Sequence, residues 1–234
     1  MSENCKWLHE NLEFLPLIKF PYDTNKLPDN GIYFFYENGE LWGHGSNKPR
    51  IVRVGTHRDG NFKSRIGEHF LLNESKMNFD ITKPAPHERS IFRKNIGRAL
   101  LNKAKDDYLK VWKTDFTSKE NRNKFAHIRD IIKEKAIESD ITRILRENFS
   151  FRFIVLKDQK SRMGSGGLES HLIGTVASCK LCKPSLYWLG NYSPKAQIRE
   201  SGLWQVQHLG ASNISKEEME LIAKSIEKTR NVYS

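Results

Sequence analysis

Residues 31–36 read GIYFFY, residues 51–55 read IVRVG and residues 64–69 read SRIGEH, and this segment decides the fold. Two apolar runs rich in β-branched and aromatic residues flank a turn-rich connection, a pattern typical of an antiparallel strand pair. The third run predicts a short helix, from one face of which Arg65 and His69 project because they lie four residues apart. Tyr33, Arg65 and His69 can therefore converge in one small volume, a plausible set of groups for handling a phosphate ester.

The chain has 234 residues and a formal net charge of +11, from 39 Lys and Arg against 28 Asp and Glu. A chain of this length can bury a real core, and one domain with elaborations is expected. The positive charge favours polyanionic partners, nucleic acid first and an anionic membrane surface second. A basic surface that only aids solubility is the alternative.

Several classes of protein are disfavoured by what the sequence lacks. No apolar run approaches the roughly 20 residues of a membrane-spanning helix, and the acidic residues near the N-terminus are unlike a secretory signal. The three cysteines, Cys5, Cys179 and Cys182, are too few for a disulfide framework. We therefore expect a reducing compartment, the cytoplasm, and no membrane partner.

Cys179 and Cys182 form a CxxC pair, which invites a zinc interpretation. A closed zinc site needs four ligands, and the sequence has no second CxxC pair and no HxxxH pair. His171 lies eight positions before Cys179, too far along a helix for a tight site. Ordinary thiols near a helix end are therefore the favoured interpretation.

The remaining elements surround the strand pair. Residues 90–101 predict an amphipathic helix, and residues 117–148 predict charged helical structure in which Asp140 could begin a second helix as an N-cap. Residues 151–156 predict a central strand, and residues 168–177 predict a helix. Ser215 and Glu218 form a capping box at the start of the last helix. Residues 1–27 are expected to pack on the domain without a role in chemistry.

These elements predict a single domain of the α/β (α+β) class over residues 1–234, with a small antiparallel or mixed sheet flanked by helices. Its core would comprise residues 28–80 and 150–214. A helical insertion would occupy residues 81–149, and a C-terminal helix residues 215–230.

Five elements in this order resemble the GIY-YIG nuclease superfamily, and more narrowly a bacterial branch related to restriction endonucleases. They are the GIY triplet at 31–33, the glycine-terminated strand at 53–55, the RxxxH pattern at 65–69, an acidic residue, Glu169, and an asparagine, Asn191. One departure is Arg53, where the family pattern has a tyrosine. An arginine still donates to phosphate, as a permanent cation, and loss of activity is the rival explanation.

The resemblance implies a catalytic set and a metal. Glu169 would bind Mg²⁺, with Mn²⁺ as a possible substitute, in a one-metal site that suits a single carboxylate. Arg65 would clamp the scissile phosphate, and Asn191 would hold it or orient other groups. Tyr33 becomes a plausible base if Arg53, Arg65 or the metal stabilises its phenolate, and His69 is the competing base or a phosphate donor.

A basic surface around this set would contact DNA through phosphates, without choosing a sequence. We expect it to include His57, Arg58, Lys63, Arg93 and Arg98.

The resulting hypothesis is a Mg²⁺-dependent DNA endonuclease of restriction or anti-phage defence, leaving 5′-phosphate and 3′-hydroxyl ends. It would need no small-molecule cofactor, and it would be a homodimer if it cuts both strands of a symmetric site. Two alternatives stay open. One is a repair, recombination or mobile-element nuclease acting on structured DNA; the other is a nucleic-acid-binding module that has lost catalysis.

Overall fold

A four-stranded antiparallel sheet forms the centre of the computed structural model, which describes residues 2–233. Its strands are β1 (Ile18–Lys19), β2 (Ile32–Leu41), β3 (Pro49–Thr56) and β4 (Phe149–Ile154), in the spatial order β1-β4-β2-β3. The predicted pairing of the first two long runs is confirmed, since Tyr33 lies opposite Gly55 and Phe35 opposite Arg53. The mixture of this sheet with many helices confirms the α+β class.

Helices cover both faces of the sheet and fill the long connection between β3 and β4. In chain order they are α1 (Ser2–Leu12), α2 (Phe62–Phe70), α3 (Pro86–Arg89), α4 (Ile91–Lys103), α5 (Leu109–Lys113), α6 (Lys119–Phe125), α7 (Ile131–Asn148), α8 (Gln159–Arg162), α9 (Leu168–Ala177), α10 (Ala196–Ser201) and α11 (Lys216–Tyr233).

The continuous apolar run of β2 follows from burial of both its faces. Tyr33 and Phe35 pack in a core with residues of α2 and α4, whereas Ile32, Phe34 and Tyr36 pack in a second core with residues of α1, α9 and α11. Successive side chains of a strand point to opposite faces, so a strand covered on both sides needs apolar residues at every position. β2 is such a strand because helices cover the sheet on both of its faces.

Within residues 81–149 the structure is helical, and the prediction of a new helix at Asp140 is wrong. α7 runs unbroken from Ile131 to Asn148, and its N-cap is Asp130, which accepts a hydrogen bond from the Lys133 amide at 3.0 Å. Asp140 instead lies on the exposed face of α7, 3.3 Å from Arg143. The apolar spacing of α7 continues through Asp140, so an acidic residue there interrupts nothing.

The two ends of the described chain both pack on the sheet. β1 pairs with β4, with Ile18 opposite Phe151, so residues 1–27 contribute an edge strand as well as a helix. At the other end the predicted capping box is confirmed: the Ser215 amide donates to Glu218 Oε2 at 2.8 Å, and the Glu218 amide donates to Ser215 Oγ at 3.2 Å. Among residues 2–233, no helix is long and apolar enough to cross a membrane.

Candidate active site at the edge of the sheet

The backbone of β3, the outer strand of the sheet, is capped by residues from distant parts of the chain. The Val54 amide donates to Gln205 Oε1 at 2.8 Å, and the Thr56 amide donates to Glu169 Oε1 at 3.0 Å. The Trp204 amide donates to the Val52 carbonyl at 2.8 Å. Backbone groups of an edge strand need partners, and here those partners deliver a carboxylate and an amide side chain to the C-terminal half of β3.

Tyr33 lies on the neighbouring strand with its ring against Gly55. A Cβ atom at position 55 would lie 2.4 Å from the Tyr33 hydroxyl oxygen, so only glycine leaves room for the ring. The hydroxyl is 3.2 Å from His69 Nε2, and His69 Nδ1 is 2.8 Å from Ser90 Oγ. Tyr33, His69 and Ser90 thus form a buried chain of hydrogen bonds that starts beside β3.

His69 is held neutral in this chain. Burial lowers its pKa well below the ordinary value, and the nearby cations Arg65, Arg53 and Arg93 lower it further. A neutral imidazole has one N–H and one acceptor nitrogen, so one of the hydroxyls of Tyr33 and Ser90 donates to His69 and the other accepts from it. His69 therefore links Tyr33 to Ser90 and carries no charge of its own.

Arg53 projects beside Tyr33 and is almost completely buried, with 7% of its surface exposed. Its Nη1 donates to the Trp204 carbonyl at 2.6 Å, and its guanidinium lies over the Phe92 ring, 5.0 Å from the centroid. Burial lowers the pKa of Arg53, and interactions with the Tyr33 hydroxyl and the Glu169 carboxylate oppose that shift. A guanidinium has so high an intrinsic pKa that the side chain stays charged.

Glu169 lies in the first turn of α9, where an acidic residue is favourable against the helix dipole. Burial raises the pKa of its carboxyl group, while the Thr56 amide and the cations Arg53, Arg162 and Arg65 oppose the increase. Its Oε1 accepts from Thr56, and Oε2 accepts from no protein donor within residues 2–233. One carboxylate oxygen is thus free to bind a ligand.

Arg65 lies on α2 and lines an open cleft of 370 Å³ together with His57 and Glu68. Its Nη1 donates to the Arg89 carbonyl at 2.6 Å and to Glu68 Oε2 at 3.1 Å. Only 15% of the Arg65 side chain is exposed. Arg65 and His69 lie on the same helix, but Arg65 lies at the cleft and His69 is buried in the core below it.

A family model described as the GIY-YIG domain matches residues 16–232, nearly the whole chain. The chain belongs to the GIY-YIG nuclease superfamily. This confirms the predicted resemblance to that superfamily. No curated protein and no solved structure matches the chain.

In this GIY-YIG domain, two residues that sequence reasoning missed support the β3 edge. Gln205 accepts from Val54 and lines a second cleft of 320 Å³ together with Arg53. Arg162 is fully buried; its Nη1 donates to Thr56 Oγ1 and to the His57 carbonyl, both at 2.9 Å, and Nη2 pairs with Asp59. No sequence motif marks either residue, because each forms hydrogen bonds with groups more than 100 positions earlier in the chain.

Asn191 is placed differently from the other members of the predicted set. It lies in the single-turn 3₁₀ helix Leu189–Tyr192, and its Nδ2 donates to the carbonyls of Ser185 at 2.8 Å and Leu186 at 3.2 Å. Both acceptors belong to its own loop. The structure thus brings Gln205, and not Asn191, to the β3 edge beside Arg53.

The predicted DNA-facing residues differ in how exposed their side chains are. His57 lines the Arg65 cleft, and burial with the nearby Arg65 charge lowers the pKa of its imidazole. Arg58 is exposed, and Lys63 is partly exposed with its Nζ 3.1 Å from Asp29. Arg98 is only 9% exposed and donates to Asn95 at 2.8 Å.

The prediction that Arg93 contacts DNA is wrong. Its side chain is completely buried and lies 2.5 Å from Glu138 on α7. It also donates to the His69 carbonyl at 3.0 Å and to Thr142 Oγ1 at 2.7 Å. A guanidinium with these partners joins α4 to α7 and to the end of α2, and it has no surface to offer a phosphate.

Proposed function

We propose that this chain is a Mg²⁺-dependent DNA endonuclease that hydrolyses phosphodiester bonds in restriction or anti-phage defence. The observation that carries the proposal is the convergence of Tyr33, Arg53, Arg65 and Glu169 around the C-terminal half of β3. A phenol, two cations and a carboxylate with a free oxygen are the groups that phosphodiester hydrolysis needs.

The donor set fits a hard cation that keeps part of its water shell. Glu169 would hold the ion through Oε2, and a single carboxylate suits Mg²⁺ because the rest of its shell is water and substrate phosphate. When bound, the ion would neutralise charge on the phosphoryl oxygens and on the leaving oxygen. Glu169 must be ionised for this, and the surrounding arginines favour its ionised form.

Tyr33 is the better candidate for the base. Its oxygen lies 3.2 Å from His69 Nε2 and beside the Arg53 cation, so a phenolate there would be stabilised by Arg53 and by a hydrogen bond from Nε2–H of neutral His69. His69 has both ring nitrogens engaged and no exposed surface. In this assignment the ionised Tyr33 oxygen accepts a proton from the attacking water and becomes the neutral phenol, and His69 orients Tyr33.

Arg65 would bind the scissile phosphate. It lies at the wall of the cleft with its guanidinium held by Glu68 and the Arg89 carbonyl, an arrangement that pre-orients a cation for charge-assisted hydrogen bonds. His57 on the same cleft and the exposed Arg58 would add contacts to neighbouring phosphates. Two such chains would cut a symmetric duplex site as a homodimer.

One observation favours a second candidate, a nucleic-acid-binding module without catalysis. Arg53 occupies the position of the second motif tyrosine and is tied to the Trp204 carbonyl. If the tyrosine hydroxyl is indispensable, the remaining cations would bind DNA without cutting it.

The test is a cleavage assay of the purified chain on duplex, methylated, single-stranded and branched DNA, with and without Mg²⁺. We expect Mg²⁺-dependent cutting of at least one substrate and products with 5′-phosphate ends. Fixed double-strand sites support a restriction role, whereas cutting at junctions or flaps favours a repair or recombination nuclease. Binding without cutting of any substrate contradicts the enzyme proposal and favours the binding module.

A further inference from the structure

A second cluster of metal-ligating side chains lies apart from the catalytic set. It consists of Cys5, His44, Cys179 and Cys182, whose ligand atoms all lie within 4.8 Å of one another. Cys5 belongs to α1, His44 to the connection between β2 and β3, and the other two cysteines to the loop after α9. We propose that these four residues bind one structural Zn²⁺ ion as a Cys₃His site.

The distances in the cluster suit a single tetrahedral metal. Zn–S bonds of about 2.3 Å and Zn–N bonds of about 2.0 Å place neighbouring ligand atoms roughly 3.5–3.8 Å apart. Cys5 Sγ lies 3.9 Å from Cys182 Sγ, and Cys179 Sγ lies 3.4 Å from His44 Nε2. Thiolates around a cluster of several iron atoms would be spread more widely, so one small ion fits better.

The number and kind of ligands favour zinc in a structural site. Three thiols and one imidazole close a tetrahedron and leave no position for water or substrate. All three cysteines are buried, and none forms a disulfide. Binding would displace the thiol protons, leaving three thiolates and a neutral imidazole around the ion.

The surroundings of the sulfur atoms match those of metal-bound thiolates. The amides of Leu181 and Cys182 lie close to Cys179 Sγ, and the Gly43 amide lies close to Cys182 Sγ. Amide donors around thiolate ligands orient them and spread their negative charge. Position 43 allows this approach only as glycine, since a Cβ there would lie 2.0 Å from the Leu181 carbonyl oxygen.

His9 lies beside the cluster and contacts the Cys5 backbone, but it is not one of the four proposed ligands. Its Nδ1 donates to the Cys5 carbonyl at 2.9 Å, and its Nε2 accepts from the Ile51 amide at 3.0 Å. Trp42, only 6% exposed, packs against the rings of both His9 and His44 and covers the cluster. The ion would therefore join α1, the β2–β3 connection and the end of α9, the helix that carries Glu169.

The first measurement is the metal content of the wild-type chain, purified without chelators from zinc-containing medium. We expect about one zinc per chain by elemental analysis, released by a mercurial that titrates thiols. Less than roughly 0.2 zinc per chain together with no uptake of added Zn²⁺ would overturn the proposal, as would stoichiometric iron or a disulfide between Cys5 and Cys182 in the intact mass.

Variants separate this site from the catalytic one. His44→Asn should lose most of the zinc and unfold at a lower temperature than the wild type. His127→Asn, at an exposed histidine, should keep the zinc content and the unfolding temperature of the wild type. Glu169→Gln should lose nuclease activity while retaining its zinc. If His44→Asn fails to fold, Co²⁺ substitution of the wild type decides. The visible spectrum of tetrahedral cobalt with thiolate charge-transfer bands supports the site, and an octahedral spectrum contradicts it.

Discussion

Arg53 has surroundings that suit a positive charge and a fixed orientation. The guanidinium is held by the Trp204 carbonyl and the face of Phe92, and it lies beside the Tyr33 hydroxyl. A tyrosine at this position would donate one hydrogen bond, whereas arginine adds a charge in a site that excludes most water. We infer that Arg53 stabilises negative charge on the Tyr33 oxygen.

Arg53→Ala should therefore lower the single-turnover cleavage rate by about 10²-fold, the typical effect of removing one electrostatic donor. Arg53→Lys should restore part of the rate, because it keeps the charge but not the planar fork. Arg230→Ala, at an exposed arginine of α11, is the control and should cut at the wild-type rate. Equal rates for Arg53→Ala and the wild type would show that this cation has no part in catalysis.

His69 makes the stability of the fold depend on pH. The pKa of His69 in the folded chain lies well below its ordinary value of 6.5. At a pH between these two pKa values, the unfolded chain binds a proton on His69 and the folded chain does not. Stability contributed by neutral His69 is thus present above about pH 6.5 and is lost as the pH falls below it. For one such group the loss between pH 7.5 and 5.5 is on the order of 1 kcal/mol.

Urea unfolding at the two pH values measures this loss. His69→Gln should be less stable at both, because its contacts to Tyr33 and Ser90 change, but its loss on acidification should be smaller than that of the wild type by on the order of 1 kcal/mol. An identical pH dependence in both proteins would mean that the pKa of His69 is the same in the folded and unfolded chains, which contradicts a neutral, buried His69.

Sequence patterns located the residues that lie close along the chain and missed those that meet across it. Arg65 and His69 follow from helical spacing, and Tyr33 from the GIY triplet. Gln205 accepts from a backbone amide of β3, and Arg162 donates to the Thr56 hydroxyl and to the His57 carbonyl just after β3; no spacing along the chain reveals these contacts. In the sequence, Cys179 and Cys182 looked like an incomplete set of ligands. Cys5 lies 177 positions before Cys182, and His44 lies 135 positions before Cys179, so no local pattern connects the four residues.

Among the elements, β3 determines the site because its outer edge has no neighbouring strand. The backbone amides of Val54 and Thr56 point away from β2 and recruit side chains from after β4. An edge strand is normally protected by charge or a covering loop. Here the groups that protect it, Gln205 and Glu169, also belong to the proposed active site.

Gln205→Leu should destabilise the fold by about 1–3 kcal/mol, because it leaves the Val54 amide without a partner in a buried position. Gln207→Leu, at an exposed glutamine two residues later, is the matched control and should change stability by less than about 0.5 kcal/mol. Chemical denaturation measures both. If the two variants are equally stable, water can replace the Gln205 side chain at the strand edge.

Gly55→Ala should displace the Tyr33 ring, since the added Cβ would lie 2.4 Å from its hydroxyl oxygen and Cζ. We expect a loss of about 1–3 kcal/mol of stability, as for other overpacked cores, and loss of most cleavage activity. Gly67→Ala in α2 is the control, because its Cβ would meet only Leu72 at 3.6 Å and alanine favours a helix by about 1 kcal/mol. An active Gly55→Ala enzyme would show that the ring position is not critical.

Elements with a strong local signal were predictable and those set by tertiary contacts were not. Helix α9 has the predicted bounds, since its apolar run begins after Gly167 and ends before a polar loop. Strand β1, only two residues long, has no pattern of its own and exists because β4 presents an open edge. In α7 the capping preference of Asp140 was outweighed by continuous apolar spacing.

For the whole molecule, the fold closes one site from two halves that are separated by the helices α3–α7. Tyr33, Arg53 and Arg65 come from the first half, and Glu169 and Gln205 from the second. Buried ion pairs such as Arg93 with Glu138 hold the intervening helices in place. They support the geometry of the site, although their own side chains are not among the proposed catalytic groups. The net charge of +11 supplies long-range attraction for a polyanion.

The most direct test of a single catalytic site at the β3 edge is the single-turnover cleavage rate of Glu169→Gln, measured beside its DNA affinity. Glutamine keeps the size of the side chain and can still accept from the Thr56 amide, but it removes the charge that binds Mg²⁺. We predict that the cleavage rate falls by at least about 10³-fold while the dissociation constant for DNA stays within about threefold. Cleavage by Glu169→Gln at the wild-type rate would contradict this assignment.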